Sequence, residues 1–137
     1  MSQQNPYIYA QAIQAHLTSI FGSIPVYQNF NREEDIDAVN GFVTWQLRAV
    51  HQPVYTGQNQ NNKGIDRPVF QISIFCQDAD TTYVLSNNLL QSLHGYSGLF
   101  GGLIQIAKAD VFWHYATYDN DLGLHQIFLD CTLDIST

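Results

Sequence analysis

Apolar and polar positions alternate most regularly in two stretches of the chain. From Phe70 to Cys76 the apolar residues are Phe70, Ile72, Ile74 and Cys76, with Gln71 and Ser73 between them. From Leu124 to Ile135, His125, Ile127, Leu129, Cys131, Leu133 and Ile135 share one face. Gln126, Asp130, Thr132 and Asp134 share the other, with Phe128 as the exception. A period of two is that of a strand with one buried face. Two other stretches carry a helical period. Tyr9, Ile13, Leu17, Ile20 and Phe21 form one stripe in Pro6–Phe21, with Gln11, Gln14 and Thr18 away from it. Asn5-Pro6 supplies a cap and a first-turn proline, and Gly22 an end. Asp78 offers N-cap chemistry to a second helix in which Tyr83, Val84, Leu89, Leu90 and Leu93 recur, closed by Gly95.

Shorter alternations predict strands over Ile24–Phe30, Gly41–Val50, Leu103–Ala107 and Asp110–Tyr118. In Gly41–Val50, Val43, Trp45, Leu47 and Ala49 oppose Thr44, Gln46 and Arg48. The segment His51–Asp66 is rich in amides and has no apolar period, so it predicts a flexible loop at about 51–67 or an extended hairpin. The expected fold is α+β, a single domain over residues 1–137. Its order is α-β-β-β-α-β-β-β, one mostly antiparallel mixed sheet with both helices packed on one face.

Composition narrows the classes of function. Charged residues make up only 12% of the chain, about half the usual share, and amides take their place. The formal net charge is −7, with five basic residues against 12 acidic ones. So few cations make no stripe to neutralise phosphates, and a grip on DNA or RNA is not expected. An acidic surface that DNA slides past is compatible with this charge. No secretory apolar region and no run of about 18 apolar residues occurs, so neither export nor membrane spanning is expected.

Candidate chemistry is sparse. The five histidines, His16, His51, His94, His114 and His125, form no H-x-x-x-H or H-E-x-x-H, and no Cys-x-x-Cys supports them. His114 and His125 lie on strands that can pair across the turn Tyr118–Gly123, which raises the thought of a zinc or acid–base site beside Asp110 or Asp119. Packed, hydrogen-bonded strand histidines are the simpler expectation. Glu33, Glu34, Asp35 and Asp37 cluster in one segment, but it lacks the glycine and closing glutamate of a calcium loop and reads as a solvated acidic loop. The glycines of Gly95–Gly102 follow a helix and do not form a phosphate cradle. Cys76 and Cys131 occupy apolar-face strand positions, as buried free thiols do. No cofactor, metal or catalytic group is expected.

The pattern as a whole resembles the tail-completion or tail-terminator proteins of long-tailed bacteriophages. The likeness is carried by Ile13–Leu17 running through Gly22 into Pro25-Val26-Tyr27 and by Gln71-Ile72-Ser73-Ile74-Phe75 followed by Asp78 and a helix ending in Leu89-Leu90-Gln91-Ser92-Leu93. The closing strands separated by Tyr118-Asp119-Asn120-Asp121 complete it. One departure is Gly41-Phe42-Val43, where the family often has a proline and an aromatic residue. The resemblance implies a non-enzymatic virion protein made in the host cytoplasm. It would form a ring, commonly a hexamer, that caps the tail tube, meets a head-neck connector protein and lets DNA through. Gln71 and Ser73, with Val54, Tyr55, Gln58, Asn59 and Lys63 of the amide-rich segment, are then expected at subunit or tube contacts. Glu33, Glu34, Asp35 and Asp37 are expected at the lumen or connector rim. Another neck protein of the same particle, or a small-ligand-binding α+β domain using His114 and His125, are the rival readings.

Overall fold

A computed structural model describes the backbone of residues 6–28, 40–56 and 63–136, and the side chains of 6–28, 40–50 and 66–135. Helix α1 (Pro6–Phe21) leads into β1 (Val26–Gln28), β2 (Phe42–Thr56) and β3 (Lys63–Cys76). Helix α2 (Ala79–Leu93) follows, then a small hairpin of β4 (Gly98–Phe100) and β5 (Ile104–Ile106), and the long strands β6 (Lys108–Asp119) and β7 (Leu124–Ser136). The five-stranded sheet has the order β1-β2-β3-β7-β6. The β1–β2 pair is parallel and the other three are antiparallel. The expected α+β order is present, with β4 as an added three-residue strand inside the glycine cluster.

One face of the sheet holds the core. Val43 and Trp45 of β2, Phe70, Ile72 and Ile74 of β3, and Ile127, Leu129, Cys131 and Leu133 of β7 are buried there against α1 and α2. Burying each large side chain of this kind stabilises the fold by about 1.5–3 kcal/mol. Both helices therefore lie on the same side, and the alternation of β3 and β7 sets which side that is. Helix α1 spans Pro6–Phe21 as the sequence predicts, with Tyr9, Ala12, Ile13, Leu17 and Phe21 buried.

Three local expectations are corrected. In α2 the buried residues are Thr82, Leu85, Ser86, Leu89 and Leu93, while Tyr83 and Val84 face outward. Asp78 takes the N-cap position, yet its carboxylate accepts the Thr81 hydroxyl at 2.8 Å and caps no backbone N–H. Gln14, expected away from the apolar stripe, is half-buried and ties three elements together. Its side chain accepts the Trp45 indole N–H at 2.6 Å and donates to the Val26 carbonyl at 3.0 Å.

The segment that could be loop or hairpin pairs as a hairpin: Val54, Tyr55 and Thr56 of β2 lie opposite Ile65, Gly64 and Lys63 of β3. Asp66, in the same stretch, is fully buried and accepts the Tyr9 hydroxyl, fixing α1 to the sheet. The β4–β5 hairpin locks onto α1 through Gly101, which has a φ of +60°. A Cβ at Gly101 would lie 2.2 Å from the Ala12 carbonyl oxygen, so only glycine lets the two backbones approach this closely. Beside it, His16 stacks on Phe100 with ring centroids 4.3 Å apart, and its Nδ1 accepts the Gly101 N–H at 3.2 Å. Burial holds the His16 pKa below its ordinary 6.5.

Candidate interaction surface

The sheet face away from the helices has a different chemistry. Opposed pairs across β2, β3 and β7 run Phe42–Phe75–Gln126, Thr44–Ser73–Phe128 and Gln46–Gln71–Asp130. At one end this face is apolar and closed: Phe42, Phe75 and Leu124 are buried together, with the Phe42 and Phe75 rings stacked at 4.8 Å. At the other end it is polar. Two β-bulges determine what happens there, one between Leu47 and Ala49 on β2 and one between Trp113 and Tyr115 on β6. A bulge re-aims the extra residue. Here the extra residues are Arg48 and His114, and both converge on Asp130 of β7. His114 Nε2 lies 2.6 Å from Asp130 Oδ2, and an Arg48 guanidinium nitrogen 3.6 Å from Oδ1. Asp130 Oδ1 is buried and has no hydrogen-bond donor among the described residues. Arg67 donates to Asp134 on the same strand at 2.7 Å.

These pairs neutralise the carboxylates of β7 with a good part of the chain's few cations. Around them Phe112 and Tyr115 stand exposed, and Arg48, Gln71, His114, Tyr115, Phe128 and Asp130 line a cleft of about 150 Å³. Gln71 is half-buried at this cleft, whereas Ser73 is buried, with only 7% exposed. The side chain reachable at the predicted contact site is thus Gln71, with Gln46, Arg48, Phe112, His114 and Tyr115 beside it.

The other residues singled out by sequence separate into two groups. Val54, Tyr55 and Lys63 have described backbone in the β2–β3 hairpin, but their side chains lie outside the described residues. Gln58, Asn59, Glu33, Glu34, Asp35 and Asp37 lie outside them altogether. His114 and His125 do not form a joint site. His114 is bound to Asp130 on the open face, and His125 packs against Tyr118, with ring centroids 4.8 Å apart, on the opposite face of the sheet. Among the described residues, no group of three or more His, Cys, Asp or Glu side chains could hold a metal ion. Both cysteines are buried thiols outside any disulfide, and the Cys76 sulfur accepts the Asp78 N–H at 3.5 Å. The Cys131 pKa is pushed up to about 12 by burial first and then by the charges of Asp110 and Asp130, so its nucleophilic thiolate does not form near neutrality. No described helix is long and apolar enough to cross a membrane.

Alternation already sets Arg48 and Asp130 on the polar face, but their convergence with His114 follows from the register between strands, which the sequence does not display.

No family model matches this chain, and no curated protein matches it in sequence. Solved structures do share its fold. A chain from the virion of a native gene transfer agent particle superposes with a TM-score of 0.60 at 13% identity, over 95% of this chain and 92% of that one. The sheath/tube terminator of an extracellular contractile injection system superposes with a TM-score of 0.59 at 13% identity. That match takes in 100% of this chain, which spans 58% of the terminator's length. The chain therefore has the fold of a virion component and of a tube terminator, in agreement with the resemblance drawn from its sequence.

Proposed function

We propose that this protein is a structural tail terminator: a ring, of six copies, that ends the tail tube and offers the head-neck connector a docking surface while DNA passes through. The single observation that carries this reading is the fold match, over 95% or more of this chain, to a virion chain and to part of a sheath/tube terminator. The chemistry of the described surface supports it. The exposed part of the sheet is an amide, aromatic and ion-pair surface that suits protein contacts, and the described residues offer no cluster of metal-ligating groups. A net charge of −7 suits a conduit that must not hold DNA.

In this reading the open face around Gln71, with Ser73 beneath it, meets the tail tube. The hairpin residues Val54, Tyr55, Gln58, Asn59 and Lys63 extend the same contact. Glu33, Glu34, Asp35 and Asp37 form the lumen or connector rim. The protein is made in the host cytoplasm and ends in the virion at the tail–neck junction.

The test is tube growth. Tail-tube protein polymerised with the purified chain is expected to give tubes of bounded length carrying a collar at one end in electron micrographs. Unbounded tubes with bare ends would contradict the proposal. Binding to the connector with no binding to tube ends would instead make the chain another neck protein.

A further inference from the structure

The two edges of the sheet are unlike each other, and they differ in a complementary way. At the β6 edge, aromatic side chains protrude. Phe112 and Tyr115 on the open face, and Tyr118 on the helix face, are each about half exposed or more, and outward-facing Tyr83 of α2 stacks over Trp113 at 6.2 Å. From Val111 to Tyr118 no Asp, Glu, Lys or Arg interrupts the strand. The first part of this edge is already closed: Gly95 and Tyr96 bond to the Ala109 backbone, and the His94 ring accepts the Val111 N–H at 3.0 Å. Beyond Val111, among the described residues, no backbone bond reaches the outer side of β6.

At the β1 edge there is a recess. Helix α1 and β1 enclose a cleft of about 620 Å³ lined by uncharged residues, among them Tyr7, Ala10, Ala15, Val26 and Trp45. The Trp45–Gln14–Val26 hydrogen bonds hold its floor in shape. Since β1 and β6 are the first and last strands of the sheet order, the ridge and the recess face away from each other.

We propose that the β6 ridge of one copy seats in the α1–β1 cleft of the next. This inference rests on the ring reading above and names the contact that would build the ring. A contact between two different patches repeats head to tail and closes into a ring when its rotation allows. Charge favours a second copy as occupant. Copies of a chain with a net charge of −7 repel one another, and neither Val111–Tyr118 nor the described lining of the cleft carries a carboxylate of its own. The bulge at His114 interrupts the regular ladder on β6, which disfavours continuing the sheet from copy to copy. The contact is therefore carried by aromatic side chains entering an apolar cleft, the kind of anchor that dominates interface energetics.

Complementation tests this. Phe112→Glu/Tyr115→Glu spoils the ridge, and Tyr7→Glu/Ala15→Glu spoils the cleft; all four positions are exposed, so circular dichroism and melting are expected to match the parent chain. Native mass spectrometry, free and with tail tubes, is expected to show each variant alone as a monomer. An equimolar mixture is expected to give a one-to-one dimer and nothing larger, because each partner keeps one good patch. Rings formed by either variant alone, or a mixture that stays monomeric, would overturn the contact. In the first case the ring reading would stand without it. A parent chain that stays single even at tube ends would end the ring reading and this contact together. A small molecule retained in the cleft through native spraying would assign the recess to a ligand instead.

Discussion

The two faces of one sheet were built by different rules. On the helix side, β2, β3 and β7 present aliphatic and aromatic side chains that are buried in a single cluster with α1 and α2. On the open side, the same strands present amides, paired charges and half-covered aromatics, with an apolar cluster of Phe42, Phe75 and Leu124 at one end. The helix side supplies most of the folding free energy through burial. The open side is kept in water by ion pairs that contribute little, about 0–1 kcal/mol each when exposed. The proposed terminator role would use this division, with one face that folds the chain and one left for a partner.

Adjacent residues of β3 give the sharpest contrast. Ile72 is fully buried and Gln71, its neighbour, points the other way. Ile72→Ala is expected to cost about 2–5 kcal/mol, and Gln71→Ala about 0.5 kcal/mol or less, both read from urea midpoints. Equal losses would mean that the open face is part of the core. Next in size, Gly101→Ala sets a Cβ against the Ala12 backbone and is expected to cost about 2–3 kcal/mol. If it were neutral, the hairpin would not be anchored where the contact with α1 places it.

A smaller effect tests the open face directly. Asp130→Asn removes the charge shared by Arg48 and His114, and its stability cost is expected to stay below about 1 kcal/mol because Arg48 is half exposed. The same substitution is expected to weaken attachment to tube ends in a pull-down, since it frees both side chains from their common anchor. Unchanged attachment would remove this cluster from the contact.

The smallest effect is a pH dependence on the helix side. The folded His16 pKa is lowered by burial, so both states are neutral well above pH 6.5 and His16 adds no slope there. As pH falls through 6.5 the unfolded imidazole takes up a proton that the folded one resists. Stability is therefore lost from about pH 6.5 downward, until the folded pKa is reached. His16→Phe is expected to flatten that part of the pH–stability curve, with the Gly101 amide as the local reporter of hydrogen exchange.

Much of the fold was legible in the sequence because its longest elements obey one period each. Helix α1 and strand β7 carry long patterns, broken in β7 only by Phe128, and their faces follow directly. Legibility failed where a polar side chain was used inside the structure. Asp66 belongs to the amide-rich segment that predicts a loop or hairpin but is buried under Tyr9, and Gln14 is expected away from the apolar stripe but holds Trp45. It failed again where an apolar residue was left outside: Tyr83 and Val84 read as core and are exposed at 51% and 59%. Tyr83 is informative, because it stacks over Trp113 of β6. The candidate contact face was legible only in part. The period located Gln71 on the open side, while the two bulges that gather Arg48 and His114 on Asp130 follow from strand register, which no local pattern encodes.

The most direct measurement is the native mass of the purified chain, taken free and on tail-tube ends. Six copies in a closed collar, stripped to single subunits when Tyr7 and Ala15 are both replaced by glutamate, is the result expected. A chain that remains single at high concentration and at tube ends, carrying a small molecule in its α1–β1 recess, would contradict the account.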